Sequence, residues 1–264
     1  MSIITDQPTP YPDVNTILSE LLTGIQSILA DHLVGMYLEG SLASGDFDQD
    51  SDIDFVAVTD QPVTADQFES LQAMHDRIAS LDSIWAIQLE GSYLSRHALR
   101  RHDPVDSRHP NIERGQDERL KWVAHDATWD IHRCILRERG IILTGPAPHT
   151  LIDAVSSDTL RQAMAHLLKH WAAQILANPA QIQPRGYQSY TVLSMCRVLY
   201  TLQYGTITSK PVAARWAQAE TDPRWTDLIE RAWIGRHHSN QAATAKDIDS
   251  TLDLIRYTMA QVQG

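Results

Sequence analysis

Residues 40–58 read Gly-Ser-Leu-Ala-Ser-Gly-Asp-Phe-Asp-Gln-Asp-Ser-Asp-Ile-Asp-Phe-Val-Ala-Val. Asp52 and Asp54 alternate with Ile53, Phe55 and Ala57, the period of a strand. Two carboxylates at that spacing leave one face of the strand close together. Held so near, each raises the proton affinity of the other unless a cation neutralises them. Oxygen ligands of this kind suit Mg²⁺, which takes one or two carboxylates together with phosphate oxygens. Ahead of them, Gly40 and Ser41 form a turn that can offer backbone N–H groups and a hydroxyl to a phosphate. The stretch describes a metal–triphosphate site. An Asp-x-Asp alone is usually a solvated strand end, and a Gly-Ser alone is usually a turn. The order carries the assignment: apolar strand, Gly-Ser, polar loop, Ser-Asp-Ile-Asp, second apolar strand.

A third carboxylate, Glu90, sits in Ile-Trp-Ala-Ile-Gln-Leu-Glu-Gly-Ser-Tyr, which reads as a strand from Ile84 to about Leu94. A charge in an apolar strand is costly unless it is paired. By itself Glu90 would be an exposed strand end. On a strand beside Asp52 and Asp54 it would hold a metal or take the proton of an attacking hydroxyl.

The elements that must position these groups follow from periodicity and breakers. Residues 1–13 contain three prolines and no period, an irregular arm. From Asn15, read as an N-cap, Ile17, Leu18, Leu21, Leu22, Ile25, Ile28 and Leu29 recur at helical spacing and lead into a strand over Leu33–Leu38. After the second strand, Thr64 and Gln67 form a capping box ahead of a helix carrying Phe68, Leu71, Met74, Ile78 and Leu81. Residues 95–118, rich in Arg and His, read as a solvated interdomain loop whose histidines match no zinc spacing and some of whose arginines are candidates to face a polyphosphate, with none assigned a role. Beyond Glu118 the pattern is helical over 118–140, then, after an extended link at Ile141–Leu143, over 158–177, 188–204, 209–219, 223–235 and 244–262. Trp171, Trp216, Trp225 and Trp233 read as core anchors. The expected fold class is α+β: an N-terminal α/β domain with a small mixed sheet over 1–145, including an interdomain helix at 118–140, and a C-terminal helical bundle over 146–264.

Composition narrows the partners. The 264 residues are 43% hydrophobic and 21% charged, with a net charge of −11, an ordinary globular balance. An acidic surface opposes nucleic-acid binding, which needs Lys and Arg on phosphates, and suits a small cationic substrate better. Neither a signal peptide nor a membrane span is visible. Cys134 and Cys196 lie far apart in helical patterns and read as buried free thiols, so a cytoplasmic location is expected.

The Gly-Ser followed by Asp-x-Asp resembles the nucleotidyltransferase signature of the DNA polymerase β-like superfamily. Further on, Leu193-Ser-Met-Cys-Arg-Val-Leu-Tyr200 and Gly205-Thr-Ile-Thr-Ser-Lys-Pro-Val-Ala-Ala-Arg-Trp-Ala217 resemble the helical domain of the aminoglycoside adenylyltransferases that modify streptomycin and spectinomycin. Thr144-Gly-Pro-Ala147 is similar to that family's interdomain link. The resemblance implies that Asp52 and Asp54 hold Mg²⁺, with Glu90 as the base and a further metal ligand. It also implies that Gly40, Ser41, Ser51, Arg197 and Lys210 bind ATP, and that Tyr187 and Arg185 line the acceptor side.

One stretch departs from the family pattern. Drug-modifying members supply a tryptophan and acidic residues to the cationic antibiotic from the segment before the Arg197 helix. Here that segment, Asn178–Tyr187, has no carboxylate and carries Arg185. The expected function is transfer of AMP from ATP to a hydroxyl of a small-molecule acceptor such as streptomycin or spectinomycin, with no nucleic-acid or membrane partner. The rival readings are nucleotidyl transfer to a protein side chain, as in toxin–antitoxin systems, and an ATP-binding module without turnover. A template-dependent polymerase is disfavoured by the acidic balance.

Overall fold

The computed structural model describes residues 7–103 and 108–262. The chain divides into two compact units, the first ending at Ala154 and the second beginning at Val155.

In the first unit the order is α1 (Pro12–Leu29), β1 (Leu33–Leu38), α2 (Gly40–Ser44), β2 (Ile53–Thr59), α3 (Ala65–Ala79), β3 (Leu89–Ser95), α4 (Arg96–Arg100), β4 (Arg108–Ile112), β5 (Lys121–Ala124), α5 (Trp129–Arg139), β6 (Ile141–Thr144) and α6 (Pro148–Leu151). The six strands form one sheet in the order β5-β4-β3-β2-β1-β6. β2 and β3 are parallel, and every other pair is antiparallel. Each face of the sheet is covered by helices. Val14, Ile17, Leu18, Leu21, Ile25 and Leu29 of α1 and Leu71, Met74 and Ile78 of α3 pack with Phe55, Ala57 and Tyr93 on one side. Val56, Val58 and Leu94 face the other side with Leu99, Trp129, Leu136 and Leu151. Fully burying a side chain of this size contributes about 1.5–3 kcal/mol, so the alternation along β2 fixes which way its carboxylates point.

Several boundaries differ from the sequence reading. The first helix begins at Pro12, where proline needs no N–H partner. Asn15 lies inside that first turn, its side chain exchanging bonds with Thr9. The capping box at Thr64 and Gln67 is present as expected. Ile84–Ile87 is a 3-10 turn, not strand: Ser83 Oγ accepts from the Trp85 N–H, and Ile84 points into solvent. The strand therefore starts only at Leu89. The Arg- and His-rich stretch supplies α4 and β4, which pairs with β5 in a hairpin where Pro110 faces Trp122. Accordingly the helix expected over 118–140 begins only at Trp129, behind a turn in which Asp126 Oδ1 accepts from the Thr128 N–H. The link at Ile141–Leu143 becomes an edge strand antiparallel to β1. The N-terminal arm before Gln7 lies outside the described residues.

The second unit is helical: α7 (Ser157–Ala177), α8 (Arg185–Tyr204), α9 (Lys210–Glu220), α10 (Thr226–Gly235) and α11 (Ala245–Val262). α8 packs against each of the other four. That position explains why it has little amphipathic character and buries Gln188, Ser189, Thr191 and Thr201 along with its apolar residues. Of the four expected tryptophan anchors, only Trp225 is fully buried; Trp171, Trp216 and Trp233 are half-buried, with Tyr187, Tyr204 and Arg236 respectively as neighbours. Both cysteines are free and buried, and burial pushes each thiol up to about 12, too high for a nucleophile. No helix among the described residues is long and apolar enough to cross a membrane.

Candidate active site

The chain leaves β1 through Glu39, whose N–H donates to the Asp54 carbonyl at 3.1 Å. That bond ties the α2 turn to the end of β2. Gly40 follows with φ +60°, and a Cβ there would fall on the Asp54 carboxylate. Only glycine lets the turn approach so closely. Ser41 Oγ is buried and finds no hydrogen-bond partner among the described residues.

Glu90 enters by register. In the parallel β2–β3 pair, Asp54 lies directly opposite Glu90, and neighbouring strands run about 4.8 Å apart. Both belong to the side of the sheet where Val56, Val58 and Leu94 meet α4, α5 and α6. Asp52 stands just ahead of β2, with Arg114 Nη1 at 3.9 Å from its Oδ2. Glu90 is half-buried, and burial pushes its carboxyl up to about 7, reinforced by the charges of Asp52 and Glu113 and opposed by Arg114 and His132.

The register sets the carboxylate-bearing Asp54 and Glu90 on neighbouring strands with Asp52 just ahead of them, and carboxylate oxygens are donors of the kind that Mg²⁺ takes. Ser51, expected at the triphosphate, has its hydroxyl inside the connecting loop, where it accepts from the Asp48 N–H and donates to Asp48 Oδ1.

Three further groups at this site went unassigned in the sequence. Glu39 is buried, with one carboxylate oxygen 2.9 Å from His132 Nδ1 and the other without a partner. His132 comes from α5, where it packs on Trp129. Arg114 comes from the segment between β4 and β5. The signal for Glu39 was present, since it too is a charge at the end of an apolar strand. His132 carried none, and Arg114 was one of several arginines in its stretch with nothing to single it out, because only the fold brings α5 and the hairpin to this edge.

In the helical unit, Arg197 has a buried Nε with no hydrogen-bond partner. Lys210, at the start of α9, places its Nζ 4.9 Å from the centre of the Tyr190 ring. Tyr187 stacks on Tyr190, and its hydroxyl accepts from Trp171 Nε1 at 2.9 Å. The guanidinium of Arg185, the other residue expected on the acceptor side, bonds Asp247 at 2.6 Å and the Arg231 carbonyl at 2.8 Å, tying α8 to α10 and α11.

A Gly-Ser turn laced to a strand with two aspartates, and a third carboxylate in register on the next strand, define a nucleotidyltransferase domain. Residues 18–103 match the nucleotidyltransferase domain, and residues 150–261 match the C-terminal domain of the aminoglycoside adenylyltransferases. The chain is therefore similar to the aminoglycoside adenylyltransferases in both of its units. It is 26% identical to an aminoglycoside (3'')(9) adenylyltransferase of Escherichia coli, over 96% of this chain and 97% of that one. It is 24% identical to a spectinomycin 9-adenylyltransferase of Staphylococcus aureus, over 73% and 74%. Its fold matches the crystal structure of spectinomycin adenyltransferase AAD(9) from Enterococcus faecialis, solved with ATP and spectinomycin, at a TM-score of 0.71 and 14% identity, over 94% of this chain and 99% of that one.

Proposed function

We propose that this protein is an adenylyltransferase that moves AMP from ATP to a hydroxyl of an aminoglycoside-type antibiotic, streptomycin or spectinomycin. The observation that carries the chemistry is the register of Asp54 with Glu90 beside the Gly40–Ser41 turn. Glu90 accepts the proton of the acceptor hydroxyl, and its carboxyl, pushed up to about 7, is matched to that task near neutral pH. The freed oxygen forms a bond to the α-phosphorus as the bond to pyrophosphate breaks, in line. Asp52 and Asp54, with Glu90, would hold Mg²⁺, which when bound neutralises charge developing on the phosphates. Ser41 supplies a hydroxyl to the phosphates, and Gly40 gives them room at the turn. We assign Arg197 and Lys210 to the triphosphate as well, on the strength of the unpartnered Arg197 Nε and the family resemblance.

Between the two drugs, the helical unit favours spectinomycin. The Asn178–Tyr187 stretch offers no carboxylate to a polycation, and Tyr187 and Tyr190 present stacked rings instead. The test is incubation with ATP, Mg²⁺ and each antibiotic, reading pyrophosphate release and the mass of the drug. An AMP adduct on the drug, lost by about 10³-fold or more in Asp52→Asn and Asp54→Asn, is the expected result. An adduct on protein alone would favour a side-chain acceptor, and near-normal transfer in either variant would remove the aspartates from the mechanism.

A further inference from the structure

The carboxylate cluster of the first unit is approached by a cation that the nucleotidyltransferase motif does not include. Asp52, Asp54, Glu90 and Glu39 gather at one end of the sheet, and Arg114 comes to them from the turn after β4. The turn is anchored: the Gly115 N–H donates to the Ile87 carbonyl at 2.9 Å, just ahead of the strand that carries Glu90. Gly115 has φ +146°, and a Cβ there would press on Glu118, so the chain reverses tightly behind Arg114. The guanidinium itself is loosely engaged. It lies 3.9 Å from Asp52 Oδ2, too long for a hydrogen bond. Among the described residues it donates one hydrogen bond, to the Asp50 carbonyl at 3.4 Å. The side chain is half exposed. An anchored backbone with a guanidinium whose donors are mostly unspent is suited to take a ligand anion, and the planar fork of arginine matches phosphate oxygens in pairs.

We propose that Arg114 is a nucleotide-binding residue that contacts the triphosphate of ATP from the β4–β5 side of the site. The inference rests on the adenylyltransferase reading above. Asp52 balances the guanidinium in this structure. With Mg²⁺ on Asp52 and Asp54, the metal meets that carboxylate charge and the arginine donors are left to the phosphates.

The experiment is calorimetric titration of the intact protein with Mg²⁺–ATP and with Mg²⁺–AMP, for the wild type, Arg114→Ala and Arg114→Lys. Loss of one charge-assisted contact predicts about 10- to 100-fold weaker Mg²⁺–ATP binding by Arg114→Ala. Mg²⁺–AMP should weaken by less than about threefold, Arg114→Lys should fall between, and the melting temperature should not move. Tight Mg²⁺–ATP binding by Arg114→Ala, within twofold of wild type, overturns this inference alone, as does an equal loss for ATP and AMP. Unchanged ATP binding with an altered KM for the antibiotic would assign Arg114 to the acceptor and likewise overturn it. A wild type that binds no Mg²⁺–ATP would instead overturn the adenylyltransferase reading, and this inference with it.

Discussion

Glu90 and Asp247 are both carboxylates withdrawn from water, one in each unit, and their environments drive them in opposite directions. Burial works against ionisation at both. At Asp247, hydrogen bonds from Arg231, Arg185 and Thr244 outweigh it and hold the carboxyl below the ordinary aspartate range. At Glu90, Asp52 and Glu113 add to the effect of burial, and the carboxyl is pushed up to about 7. Asp247 is a closed network, with donors on three sides joining α8, α10 and α11. The Glu90 cluster is open: among the described residues Ser41 Oγ and one Glu39 oxygen have no partner, and Arg114 makes no direct hydrogen bond to a carboxylate. A closed network stabilises the fold, whereas an open one is complete only with a ligand.

Breaking the closed network should have the larger effect on stability. Asp247→Asn leaves two arginines facing a neutral group and should cost about 2–4 kcal/mol at pH 7, read by denaturant unfolding. The folded pKa of Asp247 is depressed, so its contribution is present above the ordinary aspartate range and disappears as pH falls through the folded value. A variant as stable as wild type at pH 7 would mean the network is not closed. Removing the Arg185 charge likewise strips Asp247 of its nearest partner.

Glu90→Gln should have a smaller effect of opposite sign. The folded pKa is raised, so the ionised form opposes folding above about pH 7, while below the ordinary glutamate range the carboxyl is neutral in both states and costs nothing. The ligand-free variant should therefore be more stable than wild type at pH 8, by about 1–3 kcal/mol, with the difference vanishing near pH 4.5. A loss of stability at pH 8 would place Glu90 among satisfied groups and erase the contrast with Asp247.

Much of the open site was legible because its signals are local. The period of two through Asp52, Ile53, Asp54 and Phe55 and the Gly40–Ser41 pair are written in consecutive residues, as is the Thr64–Gln67 box. What stayed hidden depends on pairing across the chain. Nothing near Glu90 states that β3 runs parallel to β2 with Asp54 and Glu90 abreast. Ile84–Ile87 carries the apolar residues of a strand, yet the Ser83 side chain turns it into a 3-10 segment. The β4–β5 hairpin is too polar to announce itself, and with it went Arg114. His132 had to wait for α5 to reach Glu39. In the helical unit, the charge of Arg185 was visible and its neutralisation, 62 residues away at Asp247, was not.

The central claim is that Glu90 takes the proton of the acceptor hydroxyl, and a single-turnover rate tests it most directly. Glu90→Gln, saturated with Mg²⁺–ATP and spectinomycin, should transfer AMP about 10²–10⁴-fold more slowly than wild type while binding Mg²⁺–ATP within about tenfold. A rate within about threefold of wild type at equal occupancy would contradict the account and leave Glu90 as a strand-end residue beside the metal site.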